Sequence, residues 1–172
     1  MITKKYNITT NKIKKDITIS IFSDIHYSNI FKLERLEEIK QNLITKKPDY
    51  ICIPGDIVDT TNILDAKEKR QILLNFFKDL GNIAPTFITL GNHDYIKKTN
   101  KKYKEEYNNF WYNDTKKLTK NNVFLLINEI HEGKEIRFIG YTPSYSYYKI
   151  KNNKKAIKML KEEYNKKSIW FS

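Results

Sequence analysis

Three short apolar segments, each followed at once by polar residues, constrain the fold of this chain more than any other feature. The segments are 17–22, 50–53 and 86–90, and two stretches of helical periodicity separate them. Strands that alternate with helices in this way are typical of βαβ units, in which the strands run parallel. In such sheets, ligands bind beyond the carboxyl ends of the strands, where all three polar clusters fall. The pattern therefore predicts an α/β domain with a polar site at one edge of its sheet.

The two intervening stretches have the apolar spacing of amphipathic helices. In the first, between 33 and 43, leucine or isoleucine recurs every three or four residues, and Ser28 or Asn29 is the candidate N-cap. The second, between 65 and 81, begins with Asp65 at capping-box spacing and ends at Gly81, a candidate C-cap. Both helices are predicted to pack their apolar faces on the sheet.

Six side chains at the three strand ends are the candidate site residues: Asp24, His26, Asp56, Asn92, His93 and Asp94. Carboxylate, imidazole and amide ligands suit Mn, Fe or Zn better than a thiolate-type site would. Asp24 and His26 are two residues apart, so in an extended segment both point to one side and can share an ion. Asp56, on the central strand, is placed to bridge two ions about 3.5–4 Å apart, a spacing that lets a metal pair clamp a phosphate and activate water. Asn92 would donate its amide oxygen to the second ion.

His93 and Asp94 are predicted to be catalytic. A protonated imidazole beside the site can give its proton to a leaving oxygen, which makes His93 the candidate general acid. Asp94 is predicted to hold that ring in one orientation. Asp59 is predicted to cap the following segment or to support the ligands, with direct metal binding as the alternative.

Three segments together resemble a known family. Asp24-Ile25-His26, Gly55-Asp56-Ile57-Val58-Asp59 and Gly91-Asn92-His93-Asp94 are similar to the first three signature blocks of the calcineurin-like metallophosphoesterases, which read D-x-H, G-D-x-x-D and G-N-H-D/E in that order. Over about residues 17–145, the resemblance implies an α/β/β/α sandwich that carries a dinuclear metal centre. It implies hydrolysis of phosphate mono- or diesters by metal-activated water, with manganese the favoured metal and the residue roles given above.

The chain departs from the family pattern after the third block. The family completes its site with a further histidine and then a G-H-x-H block, but His131 is the only histidine after His93. The resemblance thus implies an incomplete second metal site and a single, C-terminally truncated domain over residues 1–172. The alternative is a catalytically incomplete fragment that acts as a metal- or polyanion-binding module. His131 is predicted to lie in the exposed turn of a hairpin over residues 129–139.

The net charge of +12 is compatible with a polyanionic partner but does not favour nucleic acid. Of the 32 basic residues only three are arginine, the residue favoured for bidentate phosphate recognition. A lysine-rich segment at 97–104 overlaps four aromatic residues and Leu118 at roughly helical spacing, which predicts an amphipathic helix with an aromatic core face and a lysine outer face. The alternative is a basic, aromatic rim over the site. The partner that the resemblance implies is a phosphoester substrate, and the oligomeric state stays open.

Location is predicted from two further features. No apolar run is long enough to span a bilayer, and no secretory signal is recognised after Met1. The single cysteine, Cys52, excludes an internal disulfide, and the expected location is cytoplasmic. Beyond the hairpin, residues 141–148 are predicted to form an aromatic loop and 153–167 a short helix.

Overall fold

The computed structural model describes residues 2–100, 102–106, 108–142 and 168–171. The first five elements are β1 (Ile19–Ile21), α1 (Glu34–Lys46), β2 (Tyr50–Pro54), α2 (Lys67–Ile83) and β3 (Thr86–Thr89). β1 pairs with β2, and β2 with β3, both in parallel register. The predicted α/β fold, with strands and helices alternating around a parallel sheet, is confirmed.

The segment after β3 is not the amphipathic helix that its lysine and aromatic spacing predicted. It forms β4 (Ile96–Lys98) and β5 (Tyr103–Glu105), an antiparallel hairpin, then a π-helical turn at Phe110–Thr115 and a 3-10 turn at Lys116–Asn121. The backbone N–H and the hydroxyl of Thr99 both donate to the Lys102 carbonyl, which closes the hairpin. The aromatic part of the prediction holds, because Phe110 and Trp111 are fully buried.

β6 (Val123–Leu125) follows and pairs in parallel with β3, which gives a four-stranded sheet in the order β1-β2-β3-β6. Alternate residues of β2 point to opposite faces of this sheet. Ile51 and Ile53 belong to the core cluster that contains the buried residues of α1 and α2. Cys52 belongs to a second cluster with Phe87 and Phe138. One face of the sheet is therefore covered by helices and the other by a different layer.

That other layer is a second sheet, made of β7 (Glu129–Glu132), β8 (Arg137–Gly140) and β9 (Ser168–Phe171). β7 and β8 form the predicted hairpin, and β9 runs parallel to β8. Residues 143–148 of the predicted aromatic loop and the predicted helix 153–167 lie outside the described residues. The fourth layer of the sandwich accordingly stays a prediction.

Three local predictions were wrong. The N-cap of α1 is Leu33, which lies C-terminal to the predicted caps Ser28 and Asn29 and makes no side-chain capping hydrogen bond. α2 begins after Ala66, because Asp65 instead ends a 3-10 turn at Thr61–Asp65. Gly81 lies inside α2, where a Cβ would be 2.0 Å from the carbonyl oxygen of Asn121, so the glycine permits close packing and does not end the helix.

His131 also differs from the prediction. It lies within β7 and not in the turn, is half-buried, and places its ring centroid 4.2 Å from that of Phe124. Burial lowers the pKa of His131. Among the described residues, no helix has the length and apolar character needed to cross a membrane.

Candidate metal centre

Three loops leave the carboxyl ends of neighbouring strands and carry the candidate ligands. We call them the first (22–27), second (55–59) and third (90–95) ligand loops. The backbone N–H of His26 donates to the Asp56 carbonyl at 3.0 Å, and that of Tyr27 donates to the Ile57 carbonyl at 2.8 Å. The register of the β1–β2 pair, in which Ile21 lies opposite Cys52, is kept beyond the strands, where Tyr27 lies opposite Val58 in a parallel bridge. The first and second loops thus continue the parallel pairing of β1 and β2 beyond the strands.

The backbone of the ligand residues is unusual. Asp24, His26 and Asp56 have φ values of 58°, 47° and 52°, in the left-handed region that residues with a Cβ rarely adopt. This conformation costs roughly 1–2 kcal/mol per residue. The expectation that Asp24 and His26 share one face of an extended segment was therefore wrong. The hydrogen bonds between the first and second loops hold these residues in place against the local strain.

The structure nevertheless brings Asp24, His26 and Asp56 together. One ligand atom from each lies within 4.8 Å of the others. His26 Nε2 is 3.8 Å from Asp24 Oδ1, and Ser23 Oγ donates to the other oxygen of Asp24. Two ligands on one ion lie up to about 4.2 Å apart, twice a bond of about 2.1 Å. With 65% of the Asp24 side chain and 36% of that of His26 exposed, this donor set fits an accessible divalent cation of the Mn, Fe or Zn type.

The third loop is tied to Asp56. The backbone N–H of His93 donates to Asp56 Oδ1 at 3.2 Å. A Cβ on Gly91 would lie 2.2 Å from that oxygen, so only glycine leaves room for the carboxylate. Asn92 is half-buried and begins a 3-10 turn at Asn92–Tyr95, directly beside this contact. The predicted second-ion ligand therefore stands on a loop that is fixed relative to the predicted bridging carboxylate.

Asp94 does not make the contact predicted for it. Its carboxylate is fully buried; Oδ1 accepts the N–H groups of Ile57 and Val58 at 2.8 and 3.0 Å, and Oδ2 accepts that of Gly91 at 2.8 Å. Burial raises the pKa of Asp94 to about 7, although these amide bonds favour the charged form. Both carboxylate oxygens are used by backbone amides of the second and third loops. Asp94 therefore joins two ligand loops instead of orienting His93.

The His93 ring is oriented by Asp59. His93 Nδ1 lies 2.7 Å from the carbonyl oxygen of Asp59. The ring also packs edge-on against that of His26, with centroids 4.6 Å apart and planes at 86°. Asp59 was predicted to support the ligands, and its carbonyl oxygen is placed to do so.

Metal binding by the Asp59 carboxylate was only the alternative in the sequence analysis. Its Oδ1 is 4.0 Å from His26 Nδ1, and His26, Asp59 and His93 form a second group of ligand atoms within 4.8 Å. The parallel register could have revealed this proximity. If the pairing of β1 and β2 is continued past the strands, His26 falls opposite the residues just before Asp59.

Comparison with known proteins agrees with these motifs. A family model described as calcineurin-like phosphoesterase matches residues 17–172. An uncharacterized metallophosphoesterase of Aquifex aeolicus is 34% identical over 94 residues, which are 54% of this chain and 34% of the relative. The uncharacterized metallophosphoesterase Cj0846 of Campylobacter jejuni is 32% identical over 92 residues, 54% of this chain and 23% of the relative.

A third relative has a more specific name. The phosphodiesterase YaeI of Escherichia coli is 32% identical over 76 residues, 44% of this chain and 27% of the relative. The chain thus spans about a third or less of the length of these curated relatives. The resemblance found in the three sequence blocks is confirmed.

Proposed function

We propose that this chain, which belongs to the calcineurin-like phosphoesterase family, forms the metal-binding part of a phosphoester hydrolase. One observation carries the proposal: Asp24, His26 and Asp56 converge within 4.8 Å, and each is held in a left-handed backbone conformation. Strained residues of this kind persist where the surrounding structure determines them, and they concentrate at functional sites.

Two divalent ions are the proposed cofactors, with manganese favoured because oxygen ligands dominate the donor set. Asp24 and His26 would hold the first ion, Asp56 would contact both, and Asn92 would contribute to the second. When bound, such ions polarise the phosphoryl group and lower the pKa of the attacking water. The protein's part is to fix the ligand loops, which the bonds between the first and second loops and the buried Asp94 carboxylate accomplish.

His93 is the proposed proton donor. When its ring is protonated, Nδ1–H donates to the Asp59 carbonyl at 2.7 Å, and the proton on Nε2 is then available to a leaving oxygen. The carbonyl fixes the ring orientation. This arrangement gives Asp59 the positioning role that the sequence suggested for Asp94.

The substrate is proposed to be a phosphate mono- or diester. A diester is tested first, because a relative in Escherichia coli is named a phosphodiesterase. The exposed Asp24 side chain suits a site that takes its substrate at the surface. Cytoplasmic location and a single domain over residues 1–172 remain predictions from the sequence.

The test is hydrolysis of bis-p-nitrophenyl phosphate by the purified chain with added Mn²⁺. Asp56→Asn should abolish Mn²⁺-dependent turnover, whereas Asp79→Asn, which makes the same change on the surface of α2, should leave it intact. His93→Ala should lower kcat by about 10²–10⁴-fold, as expected for loss of a general acid, while Mn²⁺ binding is retained. Turnover that survives Asp56→Asn would refute the proposed centre.

A polyanion-binding module without turnover is the second candidate. It is favoured by the exposed lysines of the β4–β5 hairpin, Lys98, Lys102 and Lys104, which follow the third ligand loop in the chain. This candidate predicts salt-sensitive binding of a polyanion by folded protein that shows no hydrolysis at any Mn²⁺ concentration. Measured turnover that depends on Asp56 would exclude it as the main function.

A further inference from the structure

We propose that His26, Asp59 and His93 form a second cation site that prefers Zn²⁺, and that zinc bound there inhibits the hydrolase. The inhibitory part rests on the function proposed above, whereas the binding site rests on geometry alone. The site shares His26 with the candidate manganese site but draws its other ligands from the second and third loops. All three residues lie in the signature blocks, but the roles predicted for them do not place them on one ion.

The first argument is convergence. Ligand atoms of the three residues lie within 4.8 Å of one another, and His26 Nδ1 is 4.0 Å from Asp59 Oδ1. Ligands on one zinc ion lie no more than about 4.2 Å apart, so rotations that move atoms by less than about an ångström would complete the set. The exposed fraction of the side chain is 36% for His26 and 58% for Asp59, so an ion can reach both side chains from solvent.

The second argument is the tautomer of His93. In the neutral ring, the proton on Nδ1 is held by the Asp59 carbonyl at 2.7 Å, which leaves the lone pair on Nε2. Histidines that bind metal are commonly fixed in this way, with one ring nitrogen donating to a carbonyl and the other binding the ion. Asp59 thereby provides two functions from one residue: its carbonyl selects the binding tautomer, and its carboxylate supplies negative charge.

The third argument is ligand chemistry. His26 has a carboxylate near each ring nitrogen: Asp24 Oδ1 lies 3.8 Å from Nε2, and Asp59 Oδ1 lies 4.0 Å from Nδ1. The group on the Asp24 side has two carboxylates and one imidazole, whereas that on the Asp59 side has two imidazoles and one carboxylate. Imidazole ligands favour zinc, and oxygen ligands favour manganese. Three protein ligands with an open position are also a typical zinc arrangement.

Zinc at this site would remove the proposed proton donor, because Nε2 of His93 cannot bind the ion and carry a proton at the same time. It would also compete for His26, a ligand of the first ion. The same residues would therefore serve catalysis with Mn²⁺ and inhibition with Zn²⁺. Inhibition by zinc is expected to saturate and to depend on the Asp59 carboxylate.

The binding test uses the full chain without other metals and Zn²⁺ alone, followed by titration calorimetry and by NMR of the ¹⁵N-labelled histidine rings. The first equivalent of zinc should shift the signals of both His26 and His93. Asp59→Ala, which keeps the backbone carbonyl, should weaken zinc binding at least tenfold and remove the His93 shift. Asp79→Ala is the matched control and should leave both unchanged.

Asp24→Asn separates the two sites. It damages the candidate manganese site but should leave the zinc-induced shift of His93 in place. If zinc shifts His26 without His93, or if Asp59→Ala binds zinc as tightly as the unaltered chain, the proposed site is wrong. These outcomes hold whether or not the chain hydrolyses a phosphoester.

The activity arm measures zinc inhibition of the Mn²⁺-activated rate, with each protein compared with its own rate before zinc. Asp59→Ala should raise the zinc concentration that gives half inhibition by tenfold or more. An unchanged value would mean that zinc displaces manganese from the Asp24 side, which would overturn the inhibitory role. Absence of any Mn²⁺-dependent turnover would refute the proposed function, and the binding test would still decide whether the zinc site exists.

Discussion

The third ligand loop leads directly into the β4–β5 hairpin, but the ligand loops and the hairpin are held by different kinds of contact. The loops are joined through buried groups: the Asp94 carboxylate accepts three backbone N–H groups, and Trp111 Nε1 donates to the Asp94 carbonyl at 2.7 Å. Ile96 at the base of the hairpin is buried in the core, but the side-chain polar contacts that attach the rest of it, chiefly those of Asn62 and Lys97, are exposed or half-exposed.

Buried and exposed contacts also differ in how much stability is lost when they are broken. A buried donor that loses its acceptor cannot turn to water, so its full desolvation penalty appears as lost stability. An exposed group that loses its partner is solvated instead, and the net effect is small. The ligand geometry is therefore fixed by contacts that are costly to break, while the neighbouring basic surface can be altered with little effect on the fold.

The largest effect is expected from Asp94→Ala. It leaves the buried N–H groups of Ile57 and Val58 and the half-buried N–H of Gly91 without their acceptor, at about 1–3 kcal/mol for each group that finds no other partner. We expect the free energy of unfolding, measured by urea denaturation, to fall by about 4 kcal/mol. The change Asp79→Ala on α2 breaks a half-exposed ion pair with Lys40 and should cost about 1 kcal/mol or less. Equal effects of the two changes would show that the buried hydrogen bonds of Asp94 contribute no more than a half-exposed ion pair.

Gly91→Ala is expected to have the next largest effect. The new Cβ would lie 2.2 Å from Asp56 Oδ1 and 2.6 Å from the Asp56 backbone nitrogen, so the second and third loops must separate. Overpacking of this kind typically costs about 1–3 kcal/mol. Because the displaced group is a candidate ligand, Mn²⁺ affinity measured by calorimetry should fall together with stability. A loss of stability with unchanged affinity would show that Asp56 is not a ligand.

The same comparison explains what the sequence could and could not predict. The parallel sheet and the identity of the ligand loops followed from local signals, since each apolar run ends directly before its polar cluster. The roles of Asp94 and Asp59 depended on contacts between residues more than 30 positions apart, such as the bond from Ile57 N–H to Asp94, which motif order does not encode.

The prediction of a helix in the segment that forms the hairpin was wrong for a different reason. Lysine and aromatic residues spaced along 97–118 fit a helical stripe, but the turn bonds between Thr99 and Lys102 determine a hairpin instead. Local hydrogen bonding of this kind competes with helix formation and is weak as a sequence signal. The buried positions of Phe110 and Trp111 were predictable because burial depends on hydrophobicity in either conformation.

Asn62→Ala probes the hairpin where its attachment is best defined. The Asn62 side chain donates to the Lys98 carbonyl at 3.0 Å and accepts the Lys98 N–H at 2.8 Å, so it pairs with the backbone as a neighbouring strand would. Because the side chain is exposed, we expect a loss of about 1 kcal/mol or less in the free energy of unfolding. Hydrogen exchange at the Lys98 amide should accelerate, whereas Asn100→Ala should leave it unchanged. A loss as large as that of Asp94→Ala would contradict the comparison.

Lys97→Met should cause the smallest loss in the free energy of unfolding. Of the four changes, it is the one whose effect should disappear at high salt concentration. Lys97 Nζ lies 3.2 Å from Glu106 Oε1 and 3.4 Å from Asp65 Oδ2, and the hydrogen bond and charge of these groups raise the pKa of Lys97.

Methionine keeps most of the apolar stem of Lys97 but removes its charge, and an exposed pair of this kind contributes about 0.2–1 kcal/mol. The loss should disappear in 1 M NaCl, where the Debye length is about 3 Å. Lys104→Met is the matched control. Since Lys104 pairs directly opposite Lys97 across the hairpin, its removal relieves a like-charge contact and should leave stability unchanged or slightly higher. If both variants lose the same stability, the ion pairs of Lys97 do not contribute to holding the hairpin.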